Sequence, residues 1–89
     1  MSATYSFRPD VPKHVQIAAE LRAQITAGKL SPRLPIPSEP TLMQTYGVAR
    51  DTARKAVAVL RDEGYITTVK GMGSFVRDKR DWPSGRPGA

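Results

Sequence analysis

Arg50 and Arg54 stand four residues apart in the stretch 46–64, YGVARDTARKAVAVLRDEG. On a helix that spacing projects two guanidinium groups side by side from neighbouring turns. Such forks can hold guanine O6 and N7 bidentately or clamp phosphate oxygens, so the chemistry on offer is recognition of a polyanion rather than bond-making. Lys55 and Arg61 add charge to the outer side, while Ala53, Ala56, Val57 and Leu60 fall on the other at about 100° per residue. A solvated helix face is the competing reading, because most charge stripes are nothing more.

The residues around this stretch bear on the choice. Gly47 can take positive φ, so Tyr46-Gly47-Val48 ends one short helix and starts the next. A short helix, a glycine turn and a helix with a basic outer face make a helix-turn-helix signature. Beyond Gly64, the β-branched and aromatic runs 65–69 (YITTV) and 74–77 (SFVR) flank a glycine-containing turn and predict a hairpin. Lys70 lies at or beside its tip, next to Gly71. The run KGMG lacks the spacing and the following Lys-Ser/Thr of a phosphate-binding P-loop, and ordinary hairpin turn chemistry accounts for its glycines.

The upstream chain supplies the scaffold that must position these groups. Residues 12–27 predict a helix: Pro12 suits the first turn, and Ile17, Leu21 and Ile25 recur every four residues with Ala18 beside them. Gly28 follows as a C-terminal cap. His14 falls on the same side as Ile17 and Leu21, where a lone histidine is an edge-of-core side chain rather than a ligand. The three prolines of LSPRLPIP (30–37) exclude a helix but leave Leu34 and Ile36 able to add an extended bridge to a sheet. Ser38 is a good N-cap, Glu39 sits where the helix dipole favours an acid, and Pro40 is tolerated in a first turn. A helix of about two turns, 39–46, follows, with Leu42 and Met43 inward. Residues 1–11 predict an extended arm carrying Tyr5 and Phe7, and residues 78–89 a mobile basic tail. Trp82 in that tail is fortuitous, folded back on the domain, or an anchor for a partner.

Eighty-nine residues with 39% hydrophobics make one small domain, without room for a second core or a large ligand cavity. The absence of cysteine excludes disulfides and thiolate metal sites, and a single histidine excludes the usual His-rich clusters. No apolar run reaches membrane-spanning length and the N-terminus has no signal-peptide core, so the expected location is the cytoplasm, at the nucleoid. The carboxylates Glu20, Glu39, Asp51, Asp62 and Glu63 are scattered without a partnered nucleophile or base; neither an enzyme nor a cofactor is expected. The formal net charge is +6, and eight of the fourteen Lys/Arg residues fall between Arg50 and Arg80. Charge placed there points to nucleic acid before an acidic membrane.

Helix, proline-rich bridge, short helix, turn, basic helix and hairpin come in the order of a winged helix-turn-helix domain. That is an α+β fold, mainly α, with three helices followed by a β-hairpin wing. The blocks PKHVQIAAELRAQITAGKL, IPSE, YGVARDTARKAVAVLRDEGYI and GMGSFV, in this order and spacing, resemble the DNA-binding domain of the GntR family of bacterial transcription regulators. That family shows P-x-Y-x-Q-I-A, then L-P-S-E, then G-V-S-R-x-T-V-R, then G-x-G-T-F-V. The resemblance implies a sequence-specific regulator bound to double-stranded DNA, with helix 50–63 in the major groove and wing 69–75 at the minor groove. It carries Arg50, Thr52 and Arg54 across as third-helix contacts, and Lys70 and Gly71 as wing-tip contacts. Lys55 on the basic face, Ser38 of the IPSE block and Arg33 near the family's basic position complete the candidate set. The domain so defined covers residues 12–77, between the arm and the tail.

Departures from the family pattern bear on affinity. Ala49 stands where the third helix has a serine N-cap, which costs about 1 kcal/mol. Pro40, Pro35 and Met72 replace basic residues, and His14 replaces a tyrosine, which implies weaker backbone binding. Members usually carry a C-terminal domain that binds an effector and dimerises. The sequence is then either an excised DNA-binding domain or a complete small protein, and Met1 at the start with PSGRPGA at the end tilts the expectation to the second, without a small-molecule effector and pairing as a homodimer on DNA through Tyr5 and Phe7 or through Trp82. A protein-docking winged helix and a non-specific architectural DNA binder are the alternatives. The Arg50/Arg54/Lys70 array disfavours the first, and the basic arm and tail permit the second.

Overall fold

Ile17, Leu21 and Ile25, spaced by four, make helix α1 (Lys13–Thr26) one wall of the core, and all three are buried together with Ala18. The computed structural model describes residues 6–83, so Tyr5 and the end of the tail, 84–89, lie outside the described residues. Pro12 precedes the helix rather than occupying its first turn. With φ −55° and ψ 141° it is the N-cap, and its carbonyl accepts the N–H groups of Val15 and Gln16. The C-cap is likewise Ala27, one residue before the expected glycine, and Gly28 then reverses the chain at φ 85°.

Helix α2 (Glu39–Tyr46) begins at Ser38, whose hydroxyl oxygen accepts the Thr41 N–H, and ends at Gly47 in the left-handed conformation. Helix α3 (Arg50–Glu63) packs on α1 and α2 through Ala53, Ala56 and Leu60, all fully buried. Two alanines on that face let neighbouring backbones approach closely. Gly64, at φ 96°, closes α3 and turns the chain into the hairpin.

Strands β1 (Ile66–Val69) and β2 (Gly73–Val76) pair antiparallel in the register Ile66 to Val76 and Val69 to Gly73. Ile66 and Val76 plug the base of the hairpin into the core. The proline-rich stretch lies along the other side of β2. Arg33 and Ile36 donate their N–H groups to Val76 and Ser74, and Val76 donates to Leu34. The bridging residue itself is Pro35, opposite Phe75; lacking an N–H, proline suits such an edge. Ile36 is buried, whereas Leu34 is exposed.

Both ends of the described chain return to the domain. Phe7 packs against the core with its ring 6.4 Å from that of Tyr46. Gln16 clamps the arm to α1, accepting from the Arg8 N–H and donating to the carbonyls of Arg8 and Val11. After β2, residues Lys79–Asp81 form a 3-10 turn that carries Trp82 back onto Tyr65, their ring centroids 6.0 Å apart. The stretch expected to be mobile is therefore docked through residue 82, because the indole buries apolar area and satisfies its N–H there. Among the three readings of Trp82, the observed one is fold-back.

Candidate nucleic-acid interface

Burial of Ala53, Ala56 and Leu60 turns the opposite side of α3 to solvent. Arg50 opens the helix, and Arg54 follows one turn on, about 6 Å along the axis. Ala49 provides no side-chain cap, so the first-turn N–H groups and the positive end of the helix dipole are open beside Arg50. Among the described residues Arg50 has no ion-pair partner. Arg54 does: its Nε lies 3.5 Å from Oε2 of Glu39 at the start of α2.

The other helix residues are less directly placed. Lys55 is about 100° round the helix from Arg54 and pairs with Asp51 at 3.4 Å. Thr52 is half-buried and about 200° from Arg50, off the arginine line.

Lys70, Gly71 and Met72 form a three-residue tip between the paired Val69 and Gly73, closed by the Met72 N–H donating to the Val69 carbonyl. Gly71 holds φ 81° there, a conformation that side chains disfavour. Lys70 is exposed without an ion-pair partner among the described residues, and Met72 is 70% exposed. Between this tip and α3 runs an open groove of about 420 Å³, walled by Ser38, Glu39, Val57, Thr68, Met72 and Ser74 among others. Val57 of α3 and Glu39, the ion-pair partner of Arg54, thus line one side of the groove, and Thr68, Met72 and Ser74 of the wing the other.

Two candidates are engaged within the domain. The Ser38 hydroxyl is committed to its cap, accepting from the Thr41 N–H at 3.3 Å and donating to Thr41 Oγ1 at 3.0 Å. Arg33, at φ 71°, donates its backbone N–H to Val76 and places its Nε 3.1 Å from Asp78. Val76 is the end of β2 opposite the tip, so Arg33 sits about 10 Å along the strand from the wing-tip group. The contact that sequence reasoning missed is Glu39 to Arg54. Glu39 reads locally as a dipole complement, and nothing local signals that helix packing carries it to an arginine fifteen residues on. Among the described residues no group of His, Cys, Asp or Glu could hold a metal ion, and no helix is long and apolar enough to cross a membrane.

Three helices, a glycine turn between the second and third, and a hairpin wing define a winged helix-turn-helix domain. The family model for bacterial regulatory proteins of the gntR family matches residues 13–76, and the chain belongs to that family. It is 39% identical over 66 residues to the transcriptional repressor NagR of Bacillus subtilis, covering 74% of this chain and 27% of NagR. It is 35% identical over 69 residues to the mannosyl-D-glycerate transport/metabolism repressor MngR of Escherichia coli, covering 78% of this chain and 29% of MngR. The chain therefore spans less than a third of the length of these relatives. Among solved structures it resembles AraR(DBD) in complex with operator ORX1, at TM-score 0.76 and 37% identity, covering 83% of this chain and 94% of that one. A GntR family regulator from Listeria monocytogenes superposes at TM-score 0.79 with 28% identity, covering 84% of this chain and 67% of that one.

Proposed function

We propose that this chain binds double-stranded DNA at specific sites in the cytoplasm and so regulates transcription. Helix α3 lies in the major groove and wing residues 69–75 at the minor groove. The observation that carries the reading is the solvent-facing pair Arg50 and Arg54 on α3, in a fold whose neighbour AraR(DBD) is bound to operator DNA. A helix fits the major groove, and two arginine forks one turn apart suit guanine edges and flanking phosphates. The uncapped start of α3 adds N–H donors for a phosphate. Lys70 and Gly71 position the wing without reading much sequence.

Selection of bound duplexes from a random pool, followed by titration against bulk genomic DNA, tests this. A recovered consensus that resists competition supports a site-specific regulator. Binding without a consensus favours the architectural alternative, and no gel shift at moderate salt favours protein docking.

A further inference from the structure

A carboxylate beside an arginine that faces DNA lowers attraction for phosphate, and Glu39 is such a carboxylate. Its side chain is 32% exposed and its Oε2 lies 3.5 Å from Nε of Arg54, whose side chain is 62% exposed. Glu39 is the first residue of α2, directly after the capping Ser38, so its backbone position is fixed by the start of that helix. We propose that Glu39 is a positioning and selectivity residue for Arg54, fixing which edge of the guanidinium meets DNA and what it will accept there. The inference rests on the docking of α3 proposed above.

Geometry and charge point the same way. A guanidinium can present its Nε side or its two terminal nitrogens to a bidentate partner. With Nε turned to Glu39, the terminal nitrogens remain for O6 and N7 of a guanine. The same carboxylate walls the groove between α3 and the wing, so a phosphate that approached Arg54 would meet like charge. A repulsive element of this kind costs general affinity and raises discrimination. Arg50 is the contrast: on the same face, one turn earlier and without an ion-pair partner among the described residues, it is left to follow a phosphate. The other acid near the start of α3, Asp51, is paired with Lys55 instead. Arg54 has an ion-pair partner, and Arg50 has none among the described residues. Arg54 therefore reads a base, and Arg50 clamps the strand.

The test is a double-mutant cycle on discrimination, measured as affinity for the selected site, for its single-base variants and for random duplex. Glu39→Ala is expected to lower the ratio of specific to random affinity about tenfold, relaxing the base position that Arg54→Ala relaxes. In the Arg54→Ala background its effect should shrink to under about twofold. Glu39→Asp keeps the charge at the helix start but withdraws it by one methylene, and should relax the same position. Glu39→Gln keeps an acceptor for Nε and should retain that base preference while binding random duplex more tightly. Melting of each variant controls for folding, and the Asp variant preserves the helix-end electrostatics. An unchanged ratio in the Ala and Asp variants, or losses that simply add to those of Arg54→Ala, would overturn the proposal. A wild-type chain that prefers no site at all defeats the docking itself instead.

Discussion

The indole N–H of Trp82 donates to the carbonyl of Arg77 at 2.8 Å, closing the segment 77–82 just after the wing. The ring then faces Tyr65 at the corner where α3 gives way to β1. The guanidinium of Arg22 also lies 6.0 Å from the Tyr65 ring and binds both carboxylate oxygens of Glu63. This corner joins α1, the end of α3, the base of the wing and the segment beyond it. Gly64 sits inside it: at φ 96° it meets a requirement that few other residues satisfy, and a side chain there would touch Asp81 and Pro83.

Trp82→Ala is therefore expected to destabilise the domain by about 1–2 kcal/mol, the share of a half-buried indole plus one hydrogen bond. Trp82→Phe should cost less, since it keeps the ring contact and loses only the N–H donor. Denaturant unfolding followed by far-UV circular dichroism measures both. Equal midpoints for wild type and Trp82→Ala would mean that the fold-back contributes nothing to stability.

Arg54→Ala removes an exposed side chain from a helix whose buried face is untouched, so the fold should survive. Affinity for a selected site is expected to fall by about 1–3 kcal/mol, with preference relaxed at one base position. Arg50→Ala should weaken binding to all duplexes by similar factors. Titrating both variants against single-base variants of the site separates the roles. An Arg54→Ala protein with wild-type affinity would remove that residue from the interface.

Much of this architecture is legible in the sequence because it is local. The four-residue step of Ile17, Leu21 and Ile25, the glycines at 47 and 64 and the two runs flanking Gly71 each report a nearby backbone geometry. The basic line of α3 is legible for the same reason, since Arg50 and Arg54 are one turn apart. What escapes is contact between distant segments. Pro12 and Ala27 are misplaced by one residue because helix ends are set by cap geometry rather than by periodicity. The docking of Trp82 depends on Arg77 and Tyr65 arriving at one corner. Arg33 is drawn to Asp78 at the wing's base, forty-five residues on, and so stands apart from the wing-tip group. Glu39 meets Arg54 only once α2 and α3 have packed.

Assembly is expected to be weak in free solution. Of the aromatic groups expected to serve a dimer contact, Phe7 and Trp82 are both packed on their own domain, and Tyr5 lies outside the described residues. A single module of this kind buries only about 600–1,000 Å² on DNA, so tight binding calls for two copies on neighbouring half-sites. Sedimentation of this chain at micromolar concentration should give monomer mass, with two copies per duplex on a palindromic site. A tight dimer without DNA would place the contact on some other surface.

The wing tip offers a count of charges that salt can read. Each phosphate contact neutralised by Lys or Arg steepens the fall of log affinity with log salt by about 0.9 on duplex DNA. Lys70→Ala should flatten the slope by about that amount and weaken binding to all sequences alike. Met72→Arg should do the reverse. Met72 is 70% exposed, so a longer, charged side chain fits without disturbing the core, and only its backbone N–H helps to close the turn. Titrations between about 50 and 200 mM salt on one selected site and one random duplex would measure both slopes. Parallel slopes for all three proteins would take the wing tip off the phosphate backbone. A Lys70→Ala loss confined to one base position would make the wing a reader of sequence rather than a support for α3.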